Sequence, residues 1–189
     1  MNDRSSSWTK AAVFICAALQ IVNALSVALL IVSAVHVIID PGAINTSAGG
    51  PLTVNFYGID VSLNNMSVYA DRGVESVPGV VIYLLFGCAQ SAMCFLAFGK
   101  VRNVIEYAQS QPPFRRENVE KLRQAGLLFL GTVGLELAFA LVSMVLSFGA
   151  VSFYVNPSFD KLIVGVIILC VSEIFAQSVR MQDDVDGLV

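Results

Sequence analysis

Two acidic residues stand inside otherwise apolar stretches of this chain: Glu136 within residues 124–155 and Glu173 within residues 162–179. A carboxylate at the centre of a bilayer costs at least ~2.5 to 3.5 kcal/mol on insertion scales, so such a side chain usually faces protein rather than lipid. Counted at ~1.5 Å per helical residue, both acids fall near the mid-depth of their stretches. The same count brings Gln20, Asn23 and Gln90, from two earlier apolar stretches, to a similar depth. No Lys or Arg lies inside any of the four stretches, so the sequence offers neither acid a cationic partner. Three states would satisfy the acids: protonated carboxyls hydrogen-bonded to Gln20, Asn23 or Gln90, one proton shared between two carboxyls, or a bound cation with water. The chemistry on offer is proton or cation handling. Its structural alternative is a polar layer that sets helix register, at ~0.6 to 2 kcal/mol per hydrogen bond.

No other group of residues points to chemistry. There is no nucleophile paired with a base, no Walker loop, no GxGxxG and no HExxH, so neither an enzyme nor a cofactor is expected. Cys16, Cys88, Cys94 and Cys170 all lie in apolar stretches, with no CxxC and no Cys/His cluster, and read as small buried hydrophobes rather than metal ligands. His36, at the end of the first stretch, reads as an interface residue, with pH sensing as its alternative.

The elements that must position these residues follow from composition. Of 189 residues 56% are hydrophobic and 13% charged, against about 25% charged in soluble domains, and the mean hydropathy is +0.75. That excludes an ordinary soluble globule. Disorder is excluded by the apolar content, and nucleic-acid binding is disfavoured by a pI near 5.0. The expectation is an all-α integral membrane protein, a four-transmembrane-helix bundle whose main partner is the lipid bilayer. Its helices are expected at about residues 11–39, 77–108, 114–150 and 162–180, each meeting the ~17 to 25 residues a span requires. The first stretch is about twice the ~7 to 15 residues of a signal-peptide core and reads as an uncleaved anchor.

All but two of the 11 Lys and Arg residues fall on one side of these spans. Arg4 and Lys10 precede the first. Lys100, Arg102, Arg115, Arg116, Lys121 and Arg123 lie between the second and third, and Arg180 follows the fourth; only Arg72 and Lys161 lie opposite. The positive-inside rule then makes both termini cytoplasmic, N-in and C-in. In the first outer connection Leu52, Val54 and Phe56 alternate with polar residues, and Ile59, Val61 and Leu63 resume out of phase. This slip at Tyr57-Gly58 suggests two short strands with a tight turn, or one strand with a bulge. A small extracytoplasmic β-hairpin between helices 1 and 2, at about residues 51–64, is the expected result. Trp8, Tyr83, Phe153, Tyr154 and Phe159 stand where interfacial aromatics belong. Gly126, Gly131, Gly134 and Gly165 suit close helix packing.

On the cytoplasmic side, helical spacing of Val101, Val104, Ile105 and Ala108 continues the second helix until Pro112-Pro113. An amphipathic segment, Phe114 to Arg123, then runs into the third, with Phe114, Asn118/Val119 and Leu122 along one side and charges around the rest. Phe114, Arg115, Arg116, Asn118, Leu122 and Arg123 form a candidate docking motif for a cytoplasmic regulatory protein, together with the acidic tail Asp183 to Asp186. The function expected from this face is regulation or sensing. The alternative is a small proton- or cation-coupled transporter or channel subunit using Glu136 and Glu173. A homo-oligomer is admitted by either.

Two stretches resemble an uncharacterised bacterial membrane family, the domain of unknown function 2975. One is Pro113-Phe114 followed by Glu117-Asn118 and Leu122-Arg123, similar to the family's PF…eN…LR signature between helices 2 and 3. The other is Ser172-Glu173-Ile174-Phe175, similar to its aEiF near the end of helix 4. Ser178 departs from the pattern, standing where the family carries Gly before its acidic tail. The resemblance implies the four-helix plan, a multi-pass protein of the bacterial inner membrane, and Phe114, Asn118, Leu122, Arg123 and Glu173 as shared positions. It implies no reaction. Because some members sit beside small helix-turn-helix regulators in their genomes, it also implies a link to membrane-bound transcriptional control.

Overall fold

The computed structural model of the chain describes residues 3–41, 44–45, 51–56, 59–70, 77–110, 116–146, 151–155 and 159–186. Four long helices dominate: α1 (Asp3–Ile39), α2 (Val77–Ser110), α3 (Arg116–Leu146) and α4 (Phe159–Asp186). Each contains a segment long and apolar enough to cross a membrane: Ser7–Ile39, Val80–Ala108, Arg116–Val142 and Phe159–Gln182. All four reach the ~20 residues that a hydrocarbon core of ~30 Å requires.

The helices outrun their apolar stretches. α1 starts at Asp3 rather than near residue 11, and α4 ends at Asp186 rather than near 180. Helix propagation is cheap once nucleated, and neither extension contains Gly or Pro to stop it. α2 carries Pro78 in its first turn, where the missing N–H costs nothing, and ends at Ser110, just before Gln111-Pro112-Pro113. α3 begins with Glu117 in its first turn and α4 with Asp160, each favourable against the helix dipole.

Among the described residues four strands accompany the helices: β1 (Ile44–Asn45), β2 (Pro51–Phe56), β3 (Ile59–Ala70) and β4 (Val151–Val155), paired antiparallel in that order. Phe56 pairs with Ile59 and Thr53 with Ser62, so the chain reverses between Phe56 and Ile59; the register then shifts between Thr53 and Pro51, which pairs with Ser67. Pro51 opens its strand, a position that tolerates a residue without N–H. β3 continues to Ala70, past the hairpin expected at 51–64, because its far half pairs with β4, Met66 opposite Val155 through Ala70 opposite Val151. β4 stands where the sequence leads one to expect the end of helix 3 and a short connection. Its Val-Ser-Phe-Tyr-Val run is β-branched and aromatic, and its ladder partner lies far away in the chain, where no local pattern reports it.

The chain divides into two compact units, and α1, α2 and α3 each contribute to both. The first comprises residues 1–23, 93–131 and 160–189; the second comprises residues 24–92 and 132–159. In the first unit α3 and α4 run antiparallel and meet through glycines. A Cβ on Gly126 would lie 2.8 Å from Leu169 Cγ and 3.1 Å from the Gly165 carbonyl oxygen, and one on Gly165 would lie 3.2 Å from the Gly126 carbonyl oxygen. Gly131 is likewise capped by Met93 of α2, and Gly99 of α2 by the Gln20 amide of α1. Small residues of this kind let helix backbones approach where lipid supplies no hydrophobic drive. Gly134 has nothing among the described residues within 4 Å of its would-be Cβ, so they give it no packing contact. In the second unit the buried side chains include Leu30, Val37, Val80, Tyr83, Leu84, Val133 and Phe139. Tyr83 is in this core, its ring 6.4 Å from that of Phe139, and not among the interfacial aromatics where its position in sequence put it.

Candidate functional site

Glu136 belongs to the second unit and is almost sealed from the exterior, 1% exposed. Gln90 of α2 donates its side-chain amide to Glu136 Oε1. Thr132, one helical turn earlier on α3, is equally buried. Phe139, a turn later, stacks on Phe86 at 4.5 Å between centroids and tilts against Tyr83. The carboxyl is therefore buried and takes a hydrogen bond from an amide. A buried polar group without a partner costs ~1 to 3 kcal/mol, so the Gln90 contact helps to make an acid tolerable there.

Glu173 differs in every respect. It belongs to the first unit, its side chain is 50% exposed, and its Oε2 accepts from Arg123 Nη2 at 3.1 Å. The expectation that neither acid has a cationic partner is thus corrected for Glu173. The apolar stretch of α3 begins one residue after Arg123, and the antiparallel course of α4 brings Glu173 level with that arginine. A long guanidinium stem can lie along apolar surface while its head reaches a partner.

The remaining members of the expected polar layer are satisfied separately. Asn23 donates to the Leu19 carbonyl of its own helix at 2.7 Å, the local back-bond that polar residues make in helix interiors. Gln20 faces Gly99 and donates to the Phe95 carbonyl at 3.5 Å. Gln20, Asn23 and Glu173 lie in the first unit, Gln90 and Glu136 in the second. Among the described residues, no buried side-chain nitrogen or oxygen lacks a hydrogen-bond partner, and no three His, Cys, Asp or Glu side chains come together. Cys16 is buried as expected, whereas Cys170 is exposed.

The motif expected at the start of α3 is split by the fold. Phe114 and Arg115 lie outside the described residues. Asn118 and Leu122 are 4% and 8% exposed, so they anchor α3 inward rather than standing on its outer face. Arg116, Glu117, Glu120 and Arg123 are exposed. Lys121 lies 4.0 Å from the centre of the Tyr107 ring, a cation–π contact that ties the start of α3 to the end of α2.

Between α3 and α4 in the first unit lies a groove of about 620 Å³. Arg116, Glu120, Arg123 and Gln124 line it from α3, and Arg180 lines it from α4; Leu127, Ala176 and Val179 continue it as apolar surface. Arg116, Glu120, Arg123 and Leu127 recur every three or four residues, the spacing of one helix face, so half of the groove was legible in sequence. Arg180, which sequence reasoning left out of the site, is brought to it only by the antiparallel packing of α4.

The four spans, with apolar side chains such as Phe14, Leu25, Leu96, Leu141 and Ile167 turned outward, define a multi-pass membrane protein. The chain belongs to the family described as protein of unknown function, DUF2975, whose model matches residues 64–189. Both stretches that carry the resemblance, Pro113 to Arg123 and Ser172 to Phe175, fall within the matched segment. No curated protein and no solved structure matches the chain.

Proposed function

We propose that the protein is a regulatory or sensing component of the bacterial inner membrane, with both termini cytoplasmic and the β1–β4 sheet outside, and that it docks a soluble cytoplasmic partner at the start of α3 and the acidic end of α4. One observation carries the reading: at the start of α3, buried Asn118 and Leu122 hold the helix while exposed Arg116, Glu117 and Glu120 are presented on a rigid scaffold. A charged face on a helix is ordinarily just solvated. A charged face braced from within, with Lys121 stacked on Tyr107, is preorganised for recognition. The cationic excess at these helix ends supports the orientation.

In-membrane crosslinking followed by mild-detergent purification and mass spectrometry tests the proposal. A stoichiometric soluble partner should copurify and be lost in the Arg115→Glu/Glu117→Lys variant. A wild-type preparation that yields this chain alone would sink the idea. The sealed Glu136 carries a second reading, proton or cation transfer through the second unit, in which the Gln90 amide positions the carboxyl. Reconstituted protein whose proton or cation flux is abolished by Glu136→Gln would favour that reading; silence in both wild type and variant would remove it.

A further inference from the structure

We propose that the α3–α4 groove of the first unit is a binding site for the phosphate headgroup of an anionic phospholipid. The groove is lined by three arginines, Arg116, Arg123 and Arg180, against one acid, Glu120. Arginine presents a planar fork of N–H donors suited to phosphate oxygens. Arg123 gives Nη2 to Glu173, one of the five N–H donors of a guanidinium, so the ion pair also orients this arginine beside the groove.

The polarity of the lining selects a lipid over a soluble anion. Along α3 it runs from Arg116 through Arg123 to Leu127, and on α4 from Arg180 to Ala176, so cationic surface passes into apolar surface within a few helical turns. That is the profile of a phospholipid, with a charged head followed at once by hydrocarbon. The change falls where the charges of α3 end and its apolar stretch begins, the depth at which headgroups reside. Gly126, beside Leu127, is where α3 closes on Gly165 of α4, so the groove ends at a tight helix crossing below the headgroup level. A lipid wedged there would hold together the same two helix ends that the Arg123–Glu173 pair joins. The proposal shares Arg116 and Glu120 with the docking reading but is tested apart from it, through Arg180 and Leu127, which the docking face does not use.

The experiment is native mass spectrometry of the full chain titrated with phosphatidylglycerol, with phosphatidylcholine of the same acyl chains, and with inorganic phosphate as competitor. Phosphatidylglycerol should bind in preference to phosphatidylcholine. Arg180→Gln should weaken it about fivefold and Arg116→Gln/Arg180→Gln about 25-fold, from ~1 kcal/mol per basic residue near an anionic surface. Leu127→Trp, at an exposed position, should weaken it by filling the apolar end, and Arg102→Gln, outside the groove, should leave it unchanged. Equal retention of the two lipids would overturn the proposal, as would binding untouched by both Arg180→Gln and Leu127→Trp. Displacement of the lipid by inorganic phosphate alone would also overturn it, by showing a site for a soluble anion.

Discussion

Glu136 and Glu173 are the same residue type in similar apolar stretches, yet the fold treats them as opposites. Glu136 is buried and takes a hydrogen bond from a neutral amide; Glu173 is half-exposed and takes one from a guanidinium. The first arrangement depends on its hydrogen bonding, since a buried polar group left alone incurs its full desolvation cost. The second is a pair at an open face, where Coulomb attraction is weakened and two long side chains must be held still. An acid in an apolar stretch therefore says that a partner exists, and its burial says how much that partner matters.

Four measurements would break or sharpen this contrast, all by reversible unfolding in bicelles or mild detergent. The largest effect is expected from Glu136→Ala, which leaves the Gln90 amide without its partner and opens a cavity beside Phe139: a loss of about 2 to 4 kcal/mol. Glu136→Gln, which keeps the shape and a carbonyl acceptor, should recover most of it. If Glu136→Ala were no worse than Glu173→Ala, burial would not be what separates the two acids.

Next in size is Gly126→Val. The branched side chain would meet Leu169 and, behind it, the Gly165 backbone, which cannot yield as a side-chain tip can. A destabilisation of about 1 to 3 kcal/mol is expected. Gly134→Ala, on the same helix with open space around it, should be neutral or stabilising by up to about 1 kcal/mol. Equal costs at the two glycines would refute the α3–α4 contact as described.

A double-mutant cycle of Arg123→Gln and Glu173→Gln should give a coupling of only about 0.2 to 1 kcal/mol, falling as salt is raised. A larger, salt-insensitive coupling would mean that a second molecule or a lipid encloses the pair. Of similar size, Tyr107→Leu should cost about 0.5 to 1 kcal/mol through the lost Lys121 contact.

The existence and helical nature of the four spans were legible because hydrophobic content over a bilayer-length window is a local property, readable without knowing what packs where. The family was legible from Pro113 to Arg123 and Ser172 to Phe175, short stretches whose residue order needs no tertiary context. Counting residues from each end treats each helix alone, so it could not show that Arg123, just before one apolar stretch, stands level with Glu173 inside another. The amphipathic reading of Phe114 to Arg123 marked Asn118 and Leu122 on one side correctly as a stripe. Whether that stripe faced a partner or the protein's own interior was invisible until their burial was known.

By itself, then, the sequence determined the class: residue chemistry and run length dictate four helices that cross a membrane. Only the tertiary structure decided the pairings, Glu136 with Gln90, Arg123 with Glu173, Gly126 with Gly165 and β3 with β4. The physical reason is range. Backbone hydrogen bonding and hydropathy act within a few residues along the chain. The satisfaction of a buried acid, the closeness of two glycines and the register of a distant strand depend on the offset between segments far apart in sequence, which only packing fixes.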